Sequence, residues 1–169
     1  MLTSSPTLFD GIYLPVSARF VIDGSNLMLA HGRDNPELRY VLALLTHLEE
    51  VSESFRCFFD ANSPYVLSDS PSDQLEVFEN LVSIHRWHDC IEIVEGGTEA
   101  DSKILAFAKH HRSEVISNDK YRTHAKDHKW IWKRRHGFVG TYDRLVIATL
   151  GIEISVMPTA AAYLASPSG

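Results

Sequence analysis

"ARFVIDGSN", residues 18–26, runs three apolar residues, Phe20, Val21 and Ile22, straight into Asp23, Gly24, Ser25 and Asn26. A short apolar run closed by turn residues has the form of a strand buried on both faces. Ending such a strand on a carboxylate, a glycine and a carboxamide puts polar chemistry at the edge of a sheet. The pattern recurs along the chain. "SFRCFFD" (54–60) and "SEVISND" (113–119) are strand-like runs that end on Asp60 and Asp119, and "CIEIVEGG" (90–97) is one closed by glycines.

Helical spacing fills the intervals. "NPELRYVLALLTHLEE" (35–50) offers Asn35 as an N-cap and Pro36 at the first helical position, with Leu38, Val41, Leu42, Leu45 and Leu48 on one face. "SPSDQLEVFENLVSI" (70–84) starts a helix at Ser70 and Pro71, and "EADSKILAFAKHH" (99–111) turns Ile104, Leu105 and Ala108 inward. "RLVIATLGIEISV" (144–156) supplies at least one more strand. This alternation predicts βαβ units and an α/β domain whose central, mostly parallel sheet is covered on both faces. Ligands bind such sheets outside the carboxyl ends of the strands, where the strand order reverses. Asp23, Asp60 and Asp119 therefore share one rim, and Asp101, in the first turn of the third helix, joins them.

The composition suits one domain. The 169 residues are 44% hydrophobic and 22% charged, an ordinary globular balance. They divide into an N-terminal extension (1–17), a domain (18–158) and a small-residue tail (159–169). Cys57 and Cys90 stand in apolar surroundings and read as core residues, not as a disulfide framework. No apolar run approaches the roughly 20 residues of a membrane span. No basic segment precedes an apolar stretch at the start, as a secretory signal would require. The expectation is a cytoplasmic protein without a membrane partner; a homo-oligomer is compatible with everything in the sequence. The net charge of −6 conceals a polarity. "KYRTHAKDHKWIWKRRH" (120–136) has seven Lys or Arg and one acid, a local +6, which leaves −12 for the rest.

Carboxylates gathered on one rim repel one another unless protons or a cation sit among them. A lone aspartate after a strand is ordinarily a turn former or helix cap; three or four at successive strand ends make a site. Oxygen-only ligands suit a hard cation, Mg²⁺ or Mn²⁺, in the arrangement used for metal-assisted phosphodiester hydrolysis. Asn26 fits as a neutral donor that orients a phosphate or a carboxylate.

"VIDGSNLMLAHG" (21–32), "EADSKILAFA" (99–108) and "ISNDKYR" (116–122) together resemble the NYN branch of the PIN-like metal-dependent ribonucleases, in particular the Regnase-type domain that lies beside a CCCH zinc finger. The resemblance covers roughly residues 18–158. It implies a PIN-like three-layer α/β/α fold, an RNA substrate and a Mg²⁺ site. Carried over residue by residue, that site consists of Asp23, Asn26, Asp101 and Asp119, the three aspartates being metal ligands. Two positions depart from the pattern. The family's aspartate pair is here Ala100-Asp101, and an acid expected four residues after Asp119 is Thr123. Asp60 and Glu99 are the acids available to compensate. No CCCH finger occurs within these residues.

The basic segment interleaves cations with Tyr121, Trp130 and Trp132, the chemistry that neutralises phosphates and stacks on unpaired bases. Lys129, Lys133, Arg134 and Arg135 are candidate RNA contacts, as are Lys103 and Arg122; Lys103, Ser117, Asn118 and Arg122 are candidates for holding phosphate or fixing the carboxylates. The bland alternative is a solvated helix with Trp130 and Ile131 on the core, and at least one tryptophan is expected to be structural. The expected activity is hydrolysis of RNA, single-stranded by preference. Three rivals stand beside it. One is a domain that holds RNA or protein without cutting. Another is a small-molecule phosphohydrolase, weakened because Ser25 stands where a haloacid-dehalogenase-type enzyme needs a second aspartate. The third is a metal-free ribonuclease using two of the nine histidines, none of which are spaced to force convergence.

Overall fold

The computed structural model describes residues 17–69, 73–96 and 99–165, together with the backbone of two short strands nearer the N-terminus. Those two, β1 (Thr7–Phe9) and β2 (Ile12–Leu14), pair antiparallel as a hairpin within the expected extension. The domain begins with β3 (Phe20–Asp23), all four residues of which are buried. A single helical turn, α1 (Gly24–Leu27), follows with Asp23 as its N-cap. Next come α2 (Arg39–Glu50), β4 (Phe55–Phe59), α3 (Ser63–Ser68), α4 (Gln74–Ser83), β5 (Ile91–Ile93), α5 (Ala100–His111) and β6 (Glu114–Ile116). The basic segment contains α6 (Ile131–Arg134) and β7 (Arg135–His136). The chain closes with β8 (Val139–Gly140), β9 (Arg144–Ile147), β10 (Ile152–Ser155) and α7 (Ala161–Ala165).

The central sheet has the order β5-β4-β3-β6-β7, and every pairing in it is parallel. Side chains alternate between its faces, as a strand requires. Phe20, Ile22, Phe55, Cys57, Phe59 and Ile116 face α2 and α4 in the larger core. Val21, Phe58 and Val115 face α5 and α6 in the smaller one. The result is the three-layer α/β/α architecture that the alternating segments predict. The last three strands, β8, β9 and β10, form a separate antiparallel sheet; Leu145 and Ile147 extend the larger core. Among the described residues no helix is long and apolar enough to cross a membrane.

Several boundaries differ from the sequence expectation. Asn35 and Pro36 do not start α2. Gln74 intervenes, its Oε1 accepting from the backbone N–H of Leu38 at 2.7 Å and its Nε2 donating to the carbonyl of Pro36 at 3.1 Å. A long-range side chain thus does the capping, and the helix begins at Arg39. Ser70 and Pro71, read as another helix start, and Gly97 lie outside the described residues. The expected tail carries core: Ala160 is buried, and Tyr163 and Leu164 pack against the larger cluster, so the folded unit extends beyond residue 158.

Strand order is what positions the site. From β3 the chain steps outward to β4 and β5, then returns through α5 to place β6 on the other side of β3. The order therefore reverses between β3 and β6. Asp23 ends β3, and Ser117, Asn118 and Asp119 follow β6, so these residues flank the switch point at the carboxyl edge.

Candidate active site

Asp23 lies at the floor of the site, 6% exposed. Its Oδ2 accepts from the Ser117 hydroxyl at 2.9 Å and the Tyr121 hydroxyl at 3.0 Å, and its Oδ1 from the Asn26 backbone N–H at 3.2 Å. Asp23 is thus both a helix cap and a member of the acidic group. Burial pushes its carboxyl pKa up to about 6 against the pull of these three donors, and the charge of Asp101 adds to the rise. Gly24 follows because nothing larger fits: a Cβ there would stand 2.6 Å from the Phe59 ring and 2.9 Å from the Cys57 sulfur.

Asn26 joins the two strand ends. Its Oδ1 accepts from the Asn118 backbone N–H at 2.7 Å and lies 3.3 Å from the Ser117 hydroxyl. In this structure its carboxamide oxygen braces the loop after β6. Asn118 extends the bracing, bonding both the N–H and the carbonyl of Phe138 through its side chain, at 2.7 and 3.0 Å. Asp119 turns the chain: its backbone N–H donates to the Ser117 hydroxyl oxygen, and its Oδ1 accepts from the Tyr121 N–H at 2.7 Å. Its other carboxylate oxygen has no protein donor among the described residues.

Asp101 is half-buried and, among the described residues, has no hydrogen-bond or ion-pair partner. Its pKa is raised, first by desolvation and then by the charges of Asp119, Asp60 and Glu99; nearby His124 opposes the rise. Asp101 is thus coupled to four other carboxylates, Asp119, Asp60, Glu99 and Asp23. Asp101, Asn118, Asp119, Lys120, Arg122 and Thr123 line an open cleft of about 440 Å³. Asp60 stands exposed at the end of β4, its backbone N–H held by the Ser25 hydroxyl at 2.7 Å.

A divalent cation fits this donor set. Its oxygens are hard donors, Asp101 is half-buried without a partner, and the mutual repulsion needs positive charge. Among the described residues, no three His, Cys, Asp or Glu side chains are gathered closely enough to hold one ion together. A cation held here would take one or two carboxylates directly, with water and phosphate filling the remainder.

The remaining candidates separate. Arg122 lies on the cleft. Lys103 instead pairs with Glu92 at 3.4 Å, and Arg135 donates to the Ser117 carbonyl at 3.0 Å, bracing β6. Arg134 stacks 4.1 Å from the Trp130 ring centre. Lys129 and Lys133 belong to the return crossing that takes the chain from the end of β6 back to β7, away from the rim. Proximity in sequence to Asp119 does not put them among the residues that line the cleft. Glu99, the proposed compensating acid, is largely exposed and pairs with His124 at 3.4 Å. Ala100 is buried in the smaller core. His124 thus stands beside the acidic group. Tyr121, read as a stacking candidate, is 1% exposed and instead holds Asp23 from a left-handed backbone, φ 49°. No periodicity announces that role; only its place two residues after Asp119, where an aspartate-initiated turn closes, hints at it.

A parallel α/β/α sheet with carboxylates gathered at its switch point has the PIN-like nuclease architecture. The chain belongs to the Zc3h12a-like Ribonuclease NYN domain family, which matches residues 17–144. Its fold is similar to that of nuclear proteinaceous RNase P 2 (PRORP2) from A. thaliana, with a TM-score of 0.59 and 15% identity over 85% of this chain. A second structure of the Arabidopsis thaliana nuclear protein-only RNase P 2 gives a TM-score of 0.59 and 14% identity, again over 85% of this chain. The chain spans 30 and 31% of the length of those two chains. No curated protein sequence matches it.

Proposed function

We propose that this chain hydrolyses phosphodiester bonds of RNA, preferring single strands, at a Mg²⁺ or Mn²⁺ centre held by Asp101 and Asp119 with Asp23 behind them. The observation that carries this reading is a half-buried, unpartnered Asp101 facing Asp119 across a cleft that also presents Lys120 and Arg122. When bound, the cation supplies Lewis acidity, activating water and stabilising charge on the leaving 3′ oxygen. The protein's own residues do the positioning. Lys120 and Arg122 neutralise the phosphates that enter, and the openness of the cleft suits an extended strand. Asn26, Ser117 and Tyr121 hold the two strand ends in register so that the carboxylates keep their spacing. Water as the attacking group leaves a 5′-phosphate on the product, with no role for the ribose 2′-hydroxyl.

One observation favours a rival reading, a domain that binds RNA without cutting. Ala100 occupies the core where the resembled family carries an acid, and Glu99 does not replace it. One assay separates the two. Labelled single-stranded RNA is incubated with the protein in EDTA, then with excess Mg²⁺ or Mn²⁺. Cleavage that needs the metal and yields 5′-phosphate ends supports the hydrolase. Binding without cleavage in excess Mn²⁺ supports the rival, and full activity in EDTA supports a histidine mechanism.

A further inference from the structure

The cations of the basic segment do not converge on the cleft, and their actual location forms a second surface. α5 starts at the carboxyl rim with Asp101 and, over 12 residues, descends about 18 Å to the opposite edge of the sheet. Lys109, His110 and Arg112 are exposed at its far end. The return crossing from Asp119 to β7 runs alongside it. Ile131 is buried in the core that α5 covers, and Trp130 packs against the same cluster. This anchoring leaves Lys129, Trp132 and Lys133 on the outside, with Trp132 55% exposed. The two elements are close enough for their charges to act on each other: His128 sits below the ordinary imidazole pKa through burial and the charge of Lys109, with His124 adding to it. Lys109, Arg112, Lys129 and Lys133 form no ion pair among the described residues. Lys103 and Arg56, by contrast, both pair with Glu92.

From this juxtaposition we infer that the flank formed by the end of α5 and the return crossing is a second RNA-contact surface, separate from the cleft. It holds a single strand that extends beyond the scissile bond. Unpaired cations neutralise its phosphates, and Trp132 offers a face on which an unpaired base stacks. Trp132 is held out by its neighbours. Ile131 and Trp130 fill the core, Arg134 covers the Trp130 ring, and the next indole in the turn projects to solvent. A charged surface without an aromatic platform would attract any anion; unpaired cations around an exposed tryptophan favour single-stranded nucleic acid. This inference rests on the proposed RNA substrate but not on cleavage.

Asp101 and Lys109 are eight residues apart on α5, about 12 Å along its axis, which at about 3.4 Å per phosphate of a stacked strand takes about four phosphates. The test is fluorescence anisotropy on the full chain carrying Asp119→Asn, in EDTA, with labelled oligouridylates of 4 and 20 nucleotides. The longer RNA reaches both surfaces and the shorter does not; because a 20-mer also offers about 17 registers of a four-nucleotide site, the longer should bind at least about a hundredfold more tightly. Changing Lys109, Lys129 and Lys133 together to Ala should bring the ratio down to about 17, the register count alone. It should also lower the slope of log affinity against log salt for the 20-mer by about 2, three phosphate contacts at about 0.7 each. Trp132→Ala should cost the 20-mer about tenfold in affinity with the slope unchanged. All four side chains are exposed, and a thermal melt verifies that the variants fold. An unchanged ratio and slope in the triple variant overturn the inference. So does a triple variant that loses phosphatidylserine vesicles yet keeps the 20-mer, since the surface would then read a membrane. Cleavage is not measured, so a chain that never cuts RNA can still support the flank, and one that cuts with Mn²⁺ but shows no length dependence fails the flank alone.

Discussion

The carboxyl rim and the cationic flank carry opposite charges and are built in opposite ways. At the rim nearly every polar group is tied to another: Asp23 accepts three hydrogen bonds, Asn26 joins β3 to the loop after β6, and Asn118 clasps Phe138. Among the described residues, Asp101, one oxygen of Asp119, the Asp60 carboxylate and the cleft cations Lys120 and Arg122 are the exceptions. On the flank the backbone is anchored by Ile131 and Trp130, while Lys109, Arg112, Lys129 and Lys133 stand in solvent without an ion pair among the described residues. The difference matches two tasks. Chemistry at a phosphate needs groups held to within fractions of an ångström. Contact along a flexible strand needs charge and stacking faces but tolerates movement. Substitutions at the rim should therefore act steeply and individually, whereas those on the flank should act gradually and together.

Asp119→Asn is the sharpest way to break this contrast. It removes one charge from the rim at almost constant volume and leaves the Tyr121 N–H an oxygen to bond. Cleavage in Mn²⁺ should fall by at least about a thousandfold, of the order seen when a preorganised electrostatic group is lost, while the melting temperature in EDTA stays level or rises as repulsion is relieved. Single-turnover cleavage and a melt on the same sample check it. A variant that cuts as fast as the parent would remove the rim from the mechanism.

The two tryptophans test the other half. Trp130 packs on the smaller core and supports Arg134, so Trp130→Ala should cost about 3 kcal/mol of stability. Trp132, two residues on and 55% exposed, should change stability by under about 0.5 kcal/mol when replaced by Ala. Urea titrations of both variants decide. Equal losses would mean that the flank's aromatic is structural and that the surface described for it does not exist.

How much of this was legible beforehand follows from the range of the interactions. Strands β3, β4, β5 and β6, helix α5 and the rim are readable because each rests on local pattern: apolar runs, helical spacing, and an aspartate soon after β3, β4 and β6 but not β5. The start of α2 was not, since Gln74 caps it from 36 residues away. Strand β7 was hidden as well. It is two residues, Arg135 and His136, inside a run that reads as solvated charge, and only pairing with Val115 and Ile116 makes it a strand. That hidden strand is also why Lys129 and Lys133 were expected beside Asp119. Tyr121 was misread for the same cause: an aromatic among cations suggests stacking, and only the turn after Asp119 reveals that it points inward.

Asp23 allows the rim to be probed without any substrate. Its carboxyl titrates near 3.8 when unfolded and at about 6 when folded, so the folded protein holds this proton more tightly. The stabilisation is fully present below about pH 4 and is lost as the pH rises through 6. In metal-free buffer, stability relative to Asp23→Asn should therefore fall between pH 4 and 6 by roughly 2–3 kcal/mol and then level off. Urea titrations of both proteins across pH 3.5 to 8 measure it; a flat difference would mean that Asp23 is not buried as placed.

Tyr121→Phe is the smallest change and tests how the rim is held. The phenol hydroxyl donates to Asp23 Oδ2 and is one of three bonds favouring the ionised carboxylate. Removing it leaves the ring to fill the same space, so packing is preserved and only the donor is lost. The ionised form of Asp23 is then less well supported, and its pKa should rise further above about 6. The cost of the substitution should accordingly depend on pH: about 1 kcal/mol at pH 8, where Asp23 is charged, and less at pH 4.5, where it is protonated. Cleavage in Mn²⁺ should fall only severalfold, with the alkaline side of its profile more affected than the acid side, because Asp119 and Asp101 remain in place. RNA affinity in EDTA should not change, since Tyr121 is 1% exposed and offers no face to a base. A variant whose stability loss is the same at both pH values would show that the hydroxyl serves packing alone; one that loses RNA affinity would put Tyr121 back on the binding surface and blur the line between rim and flank.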